Sequence, residues 1–243
     1  NEELISFTQV LTPPWVVKNI LLETLVKGPL QKSATHLQSL RALKVFDPAM
    51  GTGNFLFGAL EIFVDCYRDL DLSLSKAFVE TMENNLWGAD IDKTALDVAR
   101  LIAAALGLKS GVDLDALSDL GKNWQLVSQY AQETDRMLGS LAPTPESDSP
   151  LARDNYDVVV TNPPYLGRKL LDRKLKSRLK ELYPGCQNEL GHCFLVRSLD
   201  WCRPGGKIGF ITQSSLLSLP SARAVREKLL LYTVLDGVTA LGA

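Results

Sequence analysis

Short, unbroken apolar runs recur along the chain and are separated by stretches with helical spacing. "YDVVV" at 156 to 160 has β-branched or aromatic residues on both faces, with no polar alternation after Asp157, so it predicts a strand covered on both sides. "KVF" from Lys44, "LWGADI" at 86 to 91 and "IGFIT" at 208 to 212 carry the same signal. Between them, "TPPWVVKNILLETLVKG" predicts a helix with Thr12 as cap, Pro13 in the first turn and Gly28-Pro29 as the stop. A second short helix is expected over Ser33 to Leu43, and "KVFDPAMGTGNFLFGALEIF" predicts strand, glycine turn and helix. Asp92 can cap "KTALDVARLIAAALGL", whose apolar character on most faces predicts burial under other helices. A further helix is expected from Trp124 to Met137, a surface loop at "APTPESDSP", a helix at "ELGHCFLVRSLDWC" and a turn at "RPGGK". Alternation of this kind predicts an α/β, Rossmann-like, doubly wound and mostly parallel sheet at 44–243, with an N-terminal helical extension at 1–43.

Composition narrows the class without naming a chemistry. A hydrophobic fraction of 46% and a charged fraction of 22% over 243 residues are ordinary for a soluble globular protein, which excludes disordered and fibrous classes. No apolar run approaches the ~20 residues of a membrane helix, and the polar start is no signal peptide, so no membrane partner and a cytoplasmic location are expected. Cys66, Cys186, Cys193 and Cys202 match neither paired metal-ligand spacing nor a disulfide framework; reduced thiols are expected, and no metal site. The formal net charge of −2 does not advertise a nucleic-acid binder. Positive charge is local, however. Residues 166 to 181 hold Arg168, Lys169, Arg173 and Lys174 among seven basic residues, either as a solvated helix face or as a patch facing phosphates.

Candidate chemistry collects where the apolar runs stop. In "TNPPY" the strand ends on Asn162, and Pro163 and Pro164, lacking N–H groups, enforce a rigid turn ahead of Tyr165. Ligands of open α/β sheets bind at that carboxyl end. In "DPAMGTGNF", Asp47 ends a strand and Gly51 and Gly53 let a ligand approach the backbone at a helix start. Leu56 stands where a dinucleotide fingerprint needs its third glycine, so hydride transfer is disfavoured. Asp90, in "GADID", ends the next strand and can accept two hydrogen bonds from a ribose diol.

Taken in order, "FTQVLTPPW", "DPAMGTGNF", "GADID" and "TNPPY" resemble the gamma-class N6-adenine-specific DNA methyltransferases, closest to the large fused enzymes of type IIG restriction-modification and BREX-type phage-exclusion systems; "GSL" at 139 to 141 and "CRPGGKIGFITQSSLLS" add to it. The resemblance implies the class I S-adenosylmethionine-dependent methyltransferase fold and transfer of a methyl group to adenine N6 in double-stranded DNA. It places Thr12 and Pro13 near the methionine part of the cofactor, and Asp47, Pro48, Ala49, Gly51, Gly53, Asn54 and Phe55 around its loop. Asp90 and Ile91 fall at the nucleoside and Asn162 between cofactor and target. Implied partners are DNA and a fused or separate target recognition domain, nuclease or other defence subunit. No recognition domain is evident after Gly242. Where relatives close the second face of the base with an aromatic residue, the nearest match is Ala222.

The chemistry suits these residues. An exocyclic amine is a weak nucleophile because its lone pair is delocalised into the ring. Two acceptors on its N–H groups, the Asn162 side-chain oxygen and the Pro163 carbonyl, favour a pyramidal nitrogen aimed at a sulfonium methyl; positioning then carries the rate and transfer requires no metal. Extruding the base costs a few kcal/mol, of which stacking on Tyr165 recovers ~1–3 kcal/mol. Two alternatives stay open: a protein glutamine N5-methyltransferase using the same tetrapeptide, and an inactive module that only binds cofactor or DNA. Trp15 and Phe55 suit core packing as well as cofactor contact.

Overall fold

A computed structural model of the chain describes residues 12–127, 135–143, 149–165, 171 and 173–241. Among the described residues, two compact units share the sequence: 12–162 with Trp201–Phe210 form one, and Pro163–Asp200 with 211–241 form the other.

The first unit is built on a five-stranded, wholly parallel sheet in the order β3-β2-β1-β4-β5, made of β1 (Val45–Asp47), β2 (Leu86–Asp90), β3 (Trp124–Leu126), β4 (Tyr156–Thr161) and β5 (Cys202–Phe210). Order reverses between β1 and β4. Their carboxyl ends therefore flank the crevice where ligands of doubly wound sheets bind. Every residue of β1 and β4 is buried, as expected for strands covered on both faces. Phe46 stacks on Tyr156 with ring centroids 4.4 Å apart and meets the edge of Trp201 at 5.4 Å, which joins β1, β4 and the chain entering β5 in one aromatic cluster.

Helices α1 (Pro14–Leu21), α2 (Leu37–Ala42), α3 (Asn54–Asp69), α4 (Leu74–Asn84) and α5 (Lys93–Lys109) cover the sheet, α3 packing on β1 and β2 and α5 on β2 and β3. The helix begun by α1 runs on through residues 22–27 and breaks where expected, at Gly28, whose φ −104° and ψ −120° are not helical; a second helical stretch from Pro29 continues through Gln31–Ser33. Leu21 and Leu25 before that break and Leu30 after it are all covered. This helix can cross β5 closely because Gly209 has no side chain; a Cβ there would collide with Ile20 Cγ2. Thr12 is not the cap. Pro13 precedes the first helical residue, and its carbonyl takes the N–H groups of Val16 and Val17.

Three further expectations are corrected. Trp124 begins strand β3 rather than a helix, and 128–134 lie outside the described residues, as do 144–148 of the expected loop. "RPGGK" lies inside β5, where the pairing jumps from Tyr156↔Cys202 to Val158↔Lys207, so the turn residues form a bulge within the strand. Helix α5 is not covered all round: Leu101 is 70% exposed, and Val98, Ile102 and Leu108 are exposed too. Its buried face is Ala95, Leu96, Ala99, Ala103 and Gly107, mostly small residues that let the helix lie close on the sheet. Asp92 does cap α5, accepting from the N–H groups of Thr94 and Ala95.

In the second unit, α6 (Arg173–Leu182) buries Leu175 and Leu179 one turn apart, α7 (Leu190–Trp201) follows, and α8 (Arg223–Tyr232) comes after β5 in sequence.

Asn85, fully buried ahead of β2, carries a polar tie in the first unit: its Nδ2 donates to the carbonyls of Leu40 (2.8 Å) and Leu43 (2.7 Å), and its Oδ1 accepts from Tyr67 Oη at 3.0 Å. Asn85→Ala strands all three partners in the core and should cost about 2–4 kcal/mol in urea unfolding, with an unchanged denaturant slope; a loss under about 0.5 kcal/mol would show the tie to be dispensable.

Candidate functional site

Three strand ends of the first unit carry the polar residues. Asp47 closes β1 with its carboxylate buried, Oδ1 accepting from the Ala49 N–H at 3.0 Å. Burial pushes this carboxyl up to about 7; the Ala49 N–H and the Thr161 hydroxyl oppose that rise, and the charge of Asp90 adds to it. Thr161 Oγ1 sits close enough to favour the charged form, but without the alignment of a full hydrogen bond. The Pro48 carbonyl accepts from Ser140 Oγ, so the turn at 139–141 closes against the loop after β1.

Asp90 closes β2 and joins two loops. Its Oδ2 accepts from the Gly51 N–H at 2.7 Å and its Oδ1 from the Asp92 N–H at 2.8 Å. Burial raises its pKa as well, against the pull of those backbone donors. Gly51 holds φ +52°, a left-handed value that favours glycine, and a Cβ there would meet nothing within 4 Å. The rim of the glycine loop is therefore open at the carboxyl ends of β1 and β2. Gly53, at φ +91°, opens α3, and Asn54 is its first residue. Phe55 is buried, whereas Trp15 is 52% exposed and so does not serve the core. Ile91 lies against Gly139, its Cβ 3.5 Å from the position a Gly139 Cβ would take.

Asn162 follows β4 directly. Its Nδ2 donates to Thr12 Oγ1 at 3.1 Å, and the Thr12 carbonyl accepts from Asn54 Nδ2 at 3.3 Å. Buried Thr12 thus joins the start of α3 to the end of β4, while Pro13 is exposed. Asp47, Gly51, Gly53, Asn54, Asp90, Thr12 and Asn162 form a connected set along β1, β2 and β4.

In the second unit Pro163 is buried and Pro164 and Tyr165 are half-buried. Burial, then the charge of Glu189, raises the Tyr165 hydroxyl above its ordinary value, so the ring is neutral at physiological pH. The Pro163 ring and the Glu189 carboxylate approach Gly191 from two directions, 3.7 and 3.8 Å from where its side chain would begin. Arg173 and Lys174 are exposed on α6; Arg168 and Lys169 lie outside the described residues. Ala222, matched above to an aromatic position, is fully buried.

Residues 84–241 match the model of the Eco57I restriction-modification methylase family. The chain belongs to that family. Among its relatives is the type II methyltransferase M.XhoI of Xanthomonas vasicola, 27% identical over 181 residues, covering 73% of this chain and 30% of the relative. The adenine-specific methyltransferase PglX of Lacticaseibacillus casei is 21% identical over 97% of this chain and 28% of its own length. The chain thus spans about three-tenths of the length of the curated relatives it matches. In the solved complex of DrdV with DNA, 22% of that protein covers 90% of this chain at a TM-score of 0.60 and 18% identity. Fold and family agree with the expectation from the four ordered motifs, and the sheet is that of the class I S-adenosylmethionine-dependent methyltransferases.

Two links among these residues had no signal in the sequence. Thr12 and Asn162 are 150 residues apart and Pro48 and Ser140 92 apart, and a hydroxyl gives no periodic cue to a partner so distant.

The buried carboxyls make stability depend on pH. Asp47 ionises near 4 when unfolded and holds its proton to about 7 when folded, so the folded state binds more protons between those values. Its contribution is therefore present at acid pH and lost as pH rises through about 7, at up to about 1.4 kcal/mol per pH unit. Asp47→Asn should flatten the decline in urea midpoint between pH 5 and 7.5; parallel profiles for variant and wild type would refute the assignment.

Proposed function

We propose that this chain carries the methyl-transfer site of an adenine-specific DNA methyltransferase of a restriction-modification or phage-defence system, acting on the N6 amino group of adenine. The observation that carries the reading is the position of Asn162 directly after β4, tied through Thr12 to the glycine-loop helix, with the sequence Asn-Pro-Pro-Tyr running on from it. The name of PglX and the DNA bound to DrdV support the choice of substrate for their relative here.

The cofactor of this reading is S-adenosylmethionine, and the residues fit it. Two buried carboxyls, Asp47 and Asp90, both raised in pKa, suit a ligand bearing positive charge, and the open rim at Gly51 leaves room beside them. Asp90 would take the ribose hydroxyls with the lone pairs not used by Gly51 and Asp92. Pro48, Ala49, Gly53, Asn54, Phe55 and Ile91 would frame the loop, and Thr12 and Pro13 the amino-acid end. When bound, the cofactor supplies an electrophilic methyl group on a sulfonium.

The chain's own part is to hold the amine. Asn162 Oδ1 and the Pro163 carbonyl accept its two hydrogens and direct its lone pair, while Pro163 and Pro164 limit the turn to one geometry. Tyr165, neutral and half-buried, offers a stacking face to the extruded base. Arg168, Lys169, Arg173 and Lys174 would meet phosphates, giving binding that weakens with salt. Double-stranded DNA is the partner, together with a target recognition domain and a nuclease or other defence subunit, fused or separate, and the reaction belongs in the cytoplasm.

Asn162→Ala tests the assignment of the acceptor. Transfer of labelled methyl groups to adenine in duplex DNA should fall by about 100- to 1,000-fold while calorimetric cofactor affinity stays within about threefold of wild type. Wild-type transfer rates in the variant would remove the mechanism.

A further inference from the structure

The Asn162 carboxamide has two ends of nearly equal shape, and only one can serve an amine. Turned by half a rotation, it would present an NH2 group to another NH2 group, two donors facing each other. Something must choose the end. Neither proline of the turn can, because neither has an N–H to offer the side-chain oxygen.

Thr12 holds one of the two ends. Its hydroxyl oxygen takes Asn162 Nδ2 at 3.1 Å. It is itself held in place: Thr12 is buried, its carbonyl accepts from Asn54 Nδ2 at 3.3 Å, and Pro13 behind it restricts the backbone. A hydroxyl that accepts from the amide nitrogen keeps its own hydrogen for another acceptor, and an anionic group on its far side, such as the carboxylate of an amino-acid ligand, would fix it in that role.

We propose that Thr12 is a positioning residue for the transfer, its hydroxyl oxygen holding the amide nitrogen of Asn162 so that Oδ1 faces the target amine. The inference rests on the adenine-methylation reading for its consequence and on the Thr12–Asn162 hydrogen bond for its cause. Because Asn54 is the first residue after Gly53, the same residue couples the loop beside Asp90 to the acceptor after β4. Loop and acceptor then order together.

The test uses the full chain in three forms, wild type, Thr12→Val and Thr12→Ser, with two readouts. One is the pair of side-chain NH2 signals of Asn162 in nitrogen-15 correlation spectra, assigned by their loss in Asn162→Ala. The other is single-turnover methyl transfer to an adenine-containing duplex at saturating cofactor. Thr12→Val should move the NH2 pair toward the position of a free carboxamide and slow transfer about tenfold or more, and Thr12→Ser should restore both. Unmoved NH2 signals in Thr12→Val overturn the inference, as does a moved pair with transfer unchanged. Should Thr12→Val fail to fold, Thr12→Ala removes the same hydroxyl with less bulk and is held to the same outcomes. If wild type methylates no DNA, the adenine reading fails by itself, and the NH2 signals alone decide whether Thr12 holds the amide.

Discussion

The hydrogen bond between Thr12 and Asn162 fixes a polar group at the point where a buried strand ends and a proline turn begins. Six buried residues of β4 deliver Asn162 to the carboxyl edge of the sheet, next to the place where strand order reverses. The strand supplies direction and the prolines forbid its continuation. Neither determines which end of the carboxamide points outward. A side chain 150 residues earlier takes its amide nitrogen, which ties the helical segment at the start of the chain to the end of β4.

Charge follows the same geometry. Parallel strands bring Asp47 and Asp90 to neighbouring edges, where burial disfavours their ionised forms and the charge of Asp90 adds to the difficulty at Asp47. Backbone N–H groups from Ala49, Gly51 and Asp92 compensate in part, and by doing so they shape the loops around the carboxylates. The family match and the sheet order agree on the fold that carries these carboxylates.

Much of the fold was legible because its strands are extreme. "YDVVV" and "LWGAD" have no helical period, and Asp92 announces its helix by type and position. β3 was missed because three residues, Trp-Gln-Leu, are too short and too mixed to show a period. Helix α5 was misjudged because exposed Leu101 and Leu108 look like core by type, whereas the packed face is mostly alanine, whose small size is the point of contact. The bulge in β5 hid a strand under turn residues. At the site, Asp47, Gly51, Asp90 and Asn162 announced themselves by ending strands or opening a turn. Thr12 and the "GSL" of Ser140 were named by resemblance, but the partners of their hydroxyls, Asn162 and Pro48, were not, since each bond spans a distance that only the folded chain defines.

The account stands on the claim that the Asn-Pro-Pro-Tyr edge receives an adenine amine and no other nitrogen. Its most direct test is to incubate the full chain with methyl-labelled S-adenosylmethionine and unmethylated duplex DNA, alongside RNA and a glutamine-bearing protein acceptor, digest each to its components and locate the label. The account predicts label in N6-methyldeoxyadenosine alone. Label in methylcytosine, in RNA or on a glutamine side chain would contradict it.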